Sequence, residues 1–355
     1  MERFVRSPDL LICWDEGRFL VEDLAAGNRI GADLNVIAVL DAFDRPCSRE
    51  SAAERLPGLD RKSVFRCIRE LRKLRWLLNA RESATRVSRL QAWNRNLASA
   101  HYHLASRDLK YAPAGSRLRG DIIAATLARR RPAVFKRYAS ASRLSLPRRP
   151  EPAGGPRDLD RVLLSRRTVR SFRRQPVPLD GLARILRMTW GQTGWIEGSP
   201  FGRLAAKTSP SGGGLHPIEC YVLAWNVRGL LPGIYHYEAG RDELSRLRRG
   251  DFRTAAGNAA SKQRWVERAA FLCVLTAVFE RTLWKYRSEG AYRVLWLDAG
   301  HLAQTFCLVA TSLGLGAFTT AALQDSYIEK LIGLDGIKEF PVYLCGAGVP
   351  SKKLL

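Results

Sequence analysis

A chain of 355 residues, 46% hydrophobic and 26% charged, has room for one large domain or two ordinary ones and the make-up of a soluble globular protein rather than a fibrous or disordered one. Its formal net charge of +24, carried mainly by arginine, suits nucleic acid, a membrane surface, or an acidic peptide or cofactor, and equally a solvated basic surface. Seven scattered cysteines without a CxxC pair argue against a structural zinc site and read as reduced thiols of a cytoplasmic protein, while the N-terminus shows no signal-peptide pattern.

In chain order, Leu10 to Cys13 and Arg18 to Val21 are short apolar-rich runs that predict strands. Leu34 to Phe43 has helical spacing, and a breaker at Arg45-Pro46-Cys47-Ser48 precedes a short helix that ends near Leu56-Pro57-Gly58. Asp60 is the expected N-cap of a third helix, with Val64, Ile68, Leu71 and Leu74 on one face. Helix, short helix, turn, helix and then Trp76-Leu77-Leu78 outlines a winged-helix-like domain over residues 1–80. Arg61, Lys62, Arg66, Arg69, Arg72, Lys73 and Arg75 crowd its last helix. Such a helix serves a repressor against phosphates, and the same small fold serves as a peptide-docking or assembly module.

Residues 81–157 form a helical and basic region. Leu118 to Arg131 has helical character, and Arg129 to Pro152, followed by Gly154-Gly155-Pro156, reads as a linker. From about Asp158 the texture is that of a second domain, 158–355. Helices are expected at Leu159 to Leu164 and Gly181 to Trp190, and strands at Glu219 to Ala224, Ile234 to Tyr237, Ala270 to Val278 and Val342 to Gly346. The longest apolar stretch, Tyr292 to Leu315, contains Arg293, Asp298, His301 and Gln304. These groups are costly in lipid, so the stretch predicts a buried core helix and no membrane span. Alternating strands and long helices place the domain among α/β or α+β folds.

Three segments carry chemistry. Arg166-Arg167-Thr168-Val169-Arg170 gathers three guanidiniums and a hydroxyl, the donors that suit a phosphate, or else a solvated charge run. Ser209-Pro210-Ser211-Gly212-Gly213-Gly214-Leu215-His216-Pro217 allows close backbone approach to a planar ligand, yet has neither P-loop nor GxGxxG spacing. Lys285-Tyr286 follows Trp284 among aromatic residues, where a lysine, if desolvated, becomes a base near neutrality, or else snorkels at the surface.

The order of these segments resembles the nitroreductase-like FMN enzymes. Added to them are Pro232-Gly233-Ile234-Tyr235-His236-Tyr237, Leu297-Asp298-Ala299-Gly300-His301 and Leu313-Gly314-Leu315-Gly316. More narrowly, they resemble the SagB/ThcOx-type branch, dehydrogenases that oxidise azolines of ribosomally made peptides to thiazoles and oxazoles. The resemblance covers about 158–350. It implies an α+β fold with a central antiparallel or mixed sheet flanked by helices, preceded by the winged-helix-like domain. It also implies FMN as cofactor, held by Arg166, Arg167, Thr168 and Arg170 at the phosphate and ribityl chain. Ser209, Pro210, Ser211 and Gly212 would lie along the flavin, with Ala321 and Ala322 beside its N5, and Lys352 and Lys353 would reach the phosphate. Lys285 and Tyr286 match the catalytic pair, although Arg287-Ser288-Glu289-Gly290 follows where relatives have glycine directly.

The further implications are a homodimer built on the long central helix, a peptide substrate with an acidic leader, a cyclodehydratase partner and no role for nucleic acid. Two other readings stand beside this one: an FMN oxidoreductase acting on another peptide bond or small molecule, and a flavin-sensing DNA-binding regulator.

Overall fold

The computed structural model describes residues 2–15, 17–23, 28–85, 102, 115–147, 159–288 and 290–352. Lys353, Glu289 and the Gly154-Gly155-Pro156 stretch lie outside the described residues. The chain divides into two compact units, Met1–Leu109 and Lys110–Leu355.

In the first unit β1 (Phe4–Arg6) is followed by an antiparallel meander of β2 (Leu10–Asp15), β3 (Arg18–Asp23) and β4 (Asn28–Ala32). Three helices come next: α1 (Leu34–Asp41), α2 (Arg49–Glu54) and α3 (Arg61–Lys73). Each begins where a short polar side chain takes an orphan N–H: Asp33 accepts from Val36, Ser48 from Ser51 and Asp60 from Ser63. β5 (Leu77–Asn79) pairs with β1, which also bridges Cys47, and α4 (Ala80–Thr85) follows. Val64, Ile68 and Leu71 of α3 are buried with Phe43 and Trp76. Its outward residues Lys62, Phe65, Arg66, Arg69 and Arg72 line, with Phe4, a groove of about 640 Å³.

The second unit opens with α5 (Arg117–Leu127), β6 (Ser142–Ser145), α6 (Leu159–Ser165), β7 (Val177–Pro178) and α7 (Leu179–Trp190). The hairpin of β8 (Gln192–Ile196) and β9 (Leu204–Lys207) leads to β10 (Ile218–Ala224), β11 (Val227–Arg228), β12 (Gly233–Glu238) and β13 (Glu243–Arg249). Then come α8 (Arg253–Ala259), β14 (Phe271–Val278), α9 (Phe279–Lys285), α10 (Gly290–Ser312), β15 (Gly316–Thr320), α11 (Asp325–Ile332) and β16 (Glu339–Gly348). The central sheet has the order β15-β16-β14-β10-β12-β13-β6, and every pair in it is antiparallel.

Side-chain alternation divides the core between the two faces of this sheet. Cys220, Val222, Cys273 and Leu275 pack against α7 and α10 through Leu182, Leu186 and Phe306. Tyr221, Leu223, Leu272 and Val274 pack on the other side with Ala256 of α8 and Ile328 of α11. All seven residues of β10 are buried, and all but Glu219 are apolar or aromatic.

The four strands expected in this unit are present within β10, β12, β14 and β16. Two expectations change. The described part of the stretch read as a linker, residues 129–147, is built into the unit: Lys136 pairs with Glu339, and Ser142–Ser145 is the edge strand beside β13. Its contacts are made by single polar side chains and backbone carbonyls, so it carries no apolar periodicity. The long helix is not apolar-buried all round. Ala299, Ala303, Phe306 and Ala310 face the sheet, whereas Trp296, Leu297, Gly300 and His301 are exposed.

At one end of the sheet Glu219 lies buried between Arg281, at 2.5 Å, and His236, at 2.8 Å. Burial raises the Glu219 carboxyl pKa, but Arg281, with His236 and Lys207, overcomes this and holds it well below the usual range. Glu219→Ala leaves the Arg281 guanidinium buried without its counter-ion, and should cost about 3–5 kcal/mol in urea unfolding. A loss below about 1 kcal/mol would show the pair to be dispensable.

Candidate active site

The Gly-rich loop connects β9 to β10. Gly213 and Gly214 have φ of +67° and +68°, a left-handed conformation that admits glycine without strain. A Cβ placed on Gly213 would lie 2.7 Å from Tyr286 Oη and 2.9 Å from Lys285 Nζ. Both members of the Lys-Tyr pair therefore converge on one glycine of the loop. Gly213→Ala combines backbone strain of about 1–2 kcal/mol with displacement of both side chains. It should lower turnover severely while lowering the melting temperature by only several degrees. Wild-type turnover in this variant would separate the loop from the chemistry.

The loop is stitched to α10. Ser211 Oγ donates to Asp298 Oδ2 at 2.5 Å and the Gly212 N–H to Asp298 Oδ1 at 3.1 Å. Ser209 and Thr305 hydroxyls meet at 2.7 Å, and Ser211 Oγ accepts the His216 N–H at 2.9 Å. A Cβ on Gly212 would strike Val294 of the same helix. Burial pushes the Asp298 carboxyl pKa up, against the bonds from Ser211 and Gly212 that pull it down. Beneath the loop, burial lowers Lys207 to about 8 and His216 to about 4, the Lys207 charge adding to the second shift. His216 Nε2 lies 2.9 Å from the Ala205 carbonyl, so the neutral ring carries its proton there.

Lys285 ends α9, and Tyr286 caps it in an extended conformation. The ammonium lies 4.3 Å from the centroid of Phe201 and 5.4 Å from that of Tyr286. Burial lowers the Lys285 pKa, and the Arg119 charge on α5 lowers it further.

The arginine run leaves α6 and zips against two other segments. Thr168 bridges Ala317 of β15, and the Val169 N–H donates to the Ala317 carbonyl at 2.9 Å. Phe172 bridges Pro350, the Arg173 N–H donates to Val349 at 2.8 Å, and the Ser351 N–H donates to Ser171 at 3.0 Å. Lys352, next in the chain, is thereby brought to the arginine run. Arg170 lies over Trp265, at 5.4 Å. Arg167 is turned back, its Nη1 donating to the Leu164 and Arg166 carbonyls at 2.8 Å. Among the described residues no carboxylate pairs with Arg166, Arg170 or Lys352. A cationic run without carboxylate partners among the described residues, and a separate glycine loop open to close approach, are the donors and the surface that a phosphate-bearing planar cofactor such as FMN requires.

The candidates thus fall into two groups. Ser211 and Gly212 bond Asp298, and Lys285 and Tyr286 meet the same loop at Gly213, while Thr168 pairs with β15 in the run that carries Arg166 and Arg170 and is followed by the Ser171–Ser351 pairing next to Lys352. Arg166 is close enough to Cys307 of α10 to oppose the burial that raises that thiol to about 11. Pro210 is exposed in the loop. Ala321 and Ala322 directly follow β15, but the Ala322 N–H is engaged by Thr320 Oγ1 at 3.1 Å. Sequence reasoning missed the roles of Asp298, Phe201 and Arg119. Only Asp298 left a signal, as a carboxylate in an apolar helix that requires a buried partner.

An antiparallel sheet lies between helical layers, with the glycine loop tied to the long helix and the cationic run paired to β15, in an α+β fold. The chain belongs to the nitroreductase family: residues 163–349 match that family. It is 33% identical over 190 residues, 54% of this chain and 90% of the relative, to a protein named as a nitroreductase in Methanocaldococcus jannaschii. It is 30% identical over 161 residues, 44% of this chain, to the trifolitoxin-processing protein TfxB of Rhizobium leguminosarum bv. trifolii, of which it spans 43%. It is 31% identical over 134 residues, 36% of this chain, to the microcin B17-processing protein McbC of Escherichia coli, of which it spans 48%. The solved structure of a nitroreductase from Anabaena variabilis shares the fold, with a TM-score of 0.55 and 22% identity over 71% of this chain and 47% of that one. Members of this oxidoreductase family generally bind flavin. Among the described residues no helix is long and apolar enough to cross a membrane.

Proposed function

We propose that this protein binds FMN and oxidises a ribosomally made peptide by two electrons, converting azolines to azoles. The observation that carries the reading is the convergence of Lys285 Nζ and Tyr286 Oη on Gly213, within a family fold whose relatives include toxin-processing proteins. Arg166, Thr168, Arg170 and Lys352 hold the phosphate end, with Arg167 next to them. Ser209, Pro210, Ser211 and Gly212 line the ring. Bound FMN supplies the two-electron acceptor for the hydride. Lys285, whose pKa burial lowers, takes in its neutral form the proton from a ring C–H of the azoline, and Tyr286 orients the amine or the substrate beside it. Asp298 keeps the loop in register with this pair.

The exposed Leu163 and Leu164 of α6 and Trp296 and Leu297 of α10 support a homodimer formed on this apolar surface. The N-terminal unit serves peptide docking or assembly with a cyclodehydratase. The groove lined by Arg49, Lys62, Arg66, Arg69 and Arg72, with Glu2 and Glu50 among them, keeps an excess of positive charge that suits an acidic leader through charge steering. The setting is the cytoplasm. Purified protein should be yellow and release FMN on denaturation. Colourless protein that takes up no FMN on incubation would end the reading.

A further inference from the structure

The stretch between α5 and β6 precedes the family match at 163–349, yet it touches the helix that carries Lys285. Trp284 Nε1 donates to the Arg129 carbonyl at 3.4 Å, and Arg281 Nε donates to the Ala133 carbonyl at 2.9 Å. Between these anchors Arg131 makes two contacts at once. Its Nη1 donates to the Phe201 carbonyl at 3.3 Å, and its guanidinium lies 5.3 Å from the centroid of Trp284. The rings of Phe201 and Trp284 meet edge to face at 6.0 Å, and Lys285 Nζ rests 4.3 Å from the Phe201 centroid. A planar fork can stack on a ring while donating in its own plane, which an ammonium cannot do.

We propose that Arg131 is a positioning residue for Lys285: it holds Phe201 and Trp284 together, and the Phe201 ring then sets where the lysine amine lies against Gly213. The site is thus completed by a residue from outside the family-matched region. Phe201 is on the turn between β8 and β9 and Trp284 is on α9, two segments with no backbone pairing to each other. The guanidinium ties one to the other. Its loss frees the wall on which the amine rests and admits water to the amine. The effect on turnover rests on the reading of Lys285 as the base. The effect on the lysine itself does not.

The test uses the full-length protein loaded with FMN, in wild-type, Arg131→Ala, Arg131→Lys and Phe201→Leu forms. Lysines are reductively methylated with ¹³C-formaldehyde, the Lys285 signal is assigned by its absence in Lys285→Arg, and its titration is followed by NMR. In Arg131→Ala and Arg131→Lys the Lys285 midpoint should move up toward that of an ordinary lysine, in Phe201→Leu it should move from its wild-type value as the ring contact is lost, and the acid limb of turnover should move with it. At the pH optimum kcat should fall on the order of 10- to 100-fold with KM within about twofold, as expected for a displaced reacting group. A purely structural role would lower the melting temperature and leave the Lys285 titration where it was. A wild-type Lys285 titration in Arg131→Ala and Phe201→Leu, or wild-type turnover in Arg131→Lys, would overturn the proposal. Should Arg131→Ala not fold, Phe201→Leu decides by the same signal. If Lys285→Ala proves fully active, the base reading fails while the NMR titration still decides on Arg131.

Discussion

Lys285→Ala should keep FMN bound and lose turnover by about 10²–10⁴-fold, the usual contribution of a positioned general base. Binding and chemistry separate because the cationic run Arg166 to Arg170 and the loop Ser209 to Gly214 lie on segments other than α9. Lys285→Arg should be nearly as damaging, since a guanidinium keeps its proton at any working pH. Turnover requires the neutral amine, so it should rise with pH through the Lys285 pKa. Burial first, and Arg119 second, place that pKa below its ordinary value of about 10.4. Removing the Arg119 charge stabilises the ammonium less unfavourably, so Arg119→Gln should shift the acid limb of the profile to higher pH. A limb that stays in place, or Lys285→Ala at the wild-type rate, would make the pair structural. FMN binding would survive that result.

Arg166→Ala with Arg170→Ala should weaken FMN binding by roughly 10²–10⁴-fold, taking each charge-assisted bond to a phosphate as about 1.5–3 kcal/mol. Among the described residues these cations have no carboxylate beside them, and their run is held in place by the pairing of Thr168 with Ala317 and of Ser171 with Ser351. Arg167→Ala provides the internal contrast. Its guanidinium is engaged by the Leu164 and Arg166 carbonyls, so its loss should weaken FMN less than either neighbour alone. Equilibrium titration followed by flavin fluorescence distinguishes these. Equal, small effects at all three positions would place the phosphate elsewhere.

Much of this architecture was legible in the residues because its signals are local. β10 and β14 announce themselves as predominantly apolar runs, interrupted only by Glu219 and Thr276, and Asp60 as an N-cap with Val64, Ile68 and Leu71 spaced behind it. The arginine run, glycine loop and Lys-Tyr pair were readable as motifs because each is contiguous. What was not legible is long-range. β13 is largely polar, showing its inward face through Leu244, and β6 is a four-residue edge strand without apolar alternation. The contact of Arg131 with Phe201 joins residues 70 positions apart through one backbone carbonyl. Asp298 shows the boundary between the two cases. Its polarity within an apolar helix marked it as needing a partner, but only the fold identifies Ser211 and Gly212 as that partner.

The central claim is that FMN in this site removes two electrons from an azoline with Lys285 as the base. It is tested most directly by incubating the FMN-loaded protein in air with a thiazoline- or oxazoline-containing peptide and following the peptide by mass spectrometry. The account predicts loss of two hydrogens per ring, with azole absorbance appearing in step, at wild-type Lys285 and hardly at all in Lys285→Ala. A peptide whose mass is unchanged by the FMN-loaded wild-type protein, across peptides with and without acidic leaders, would contradict it.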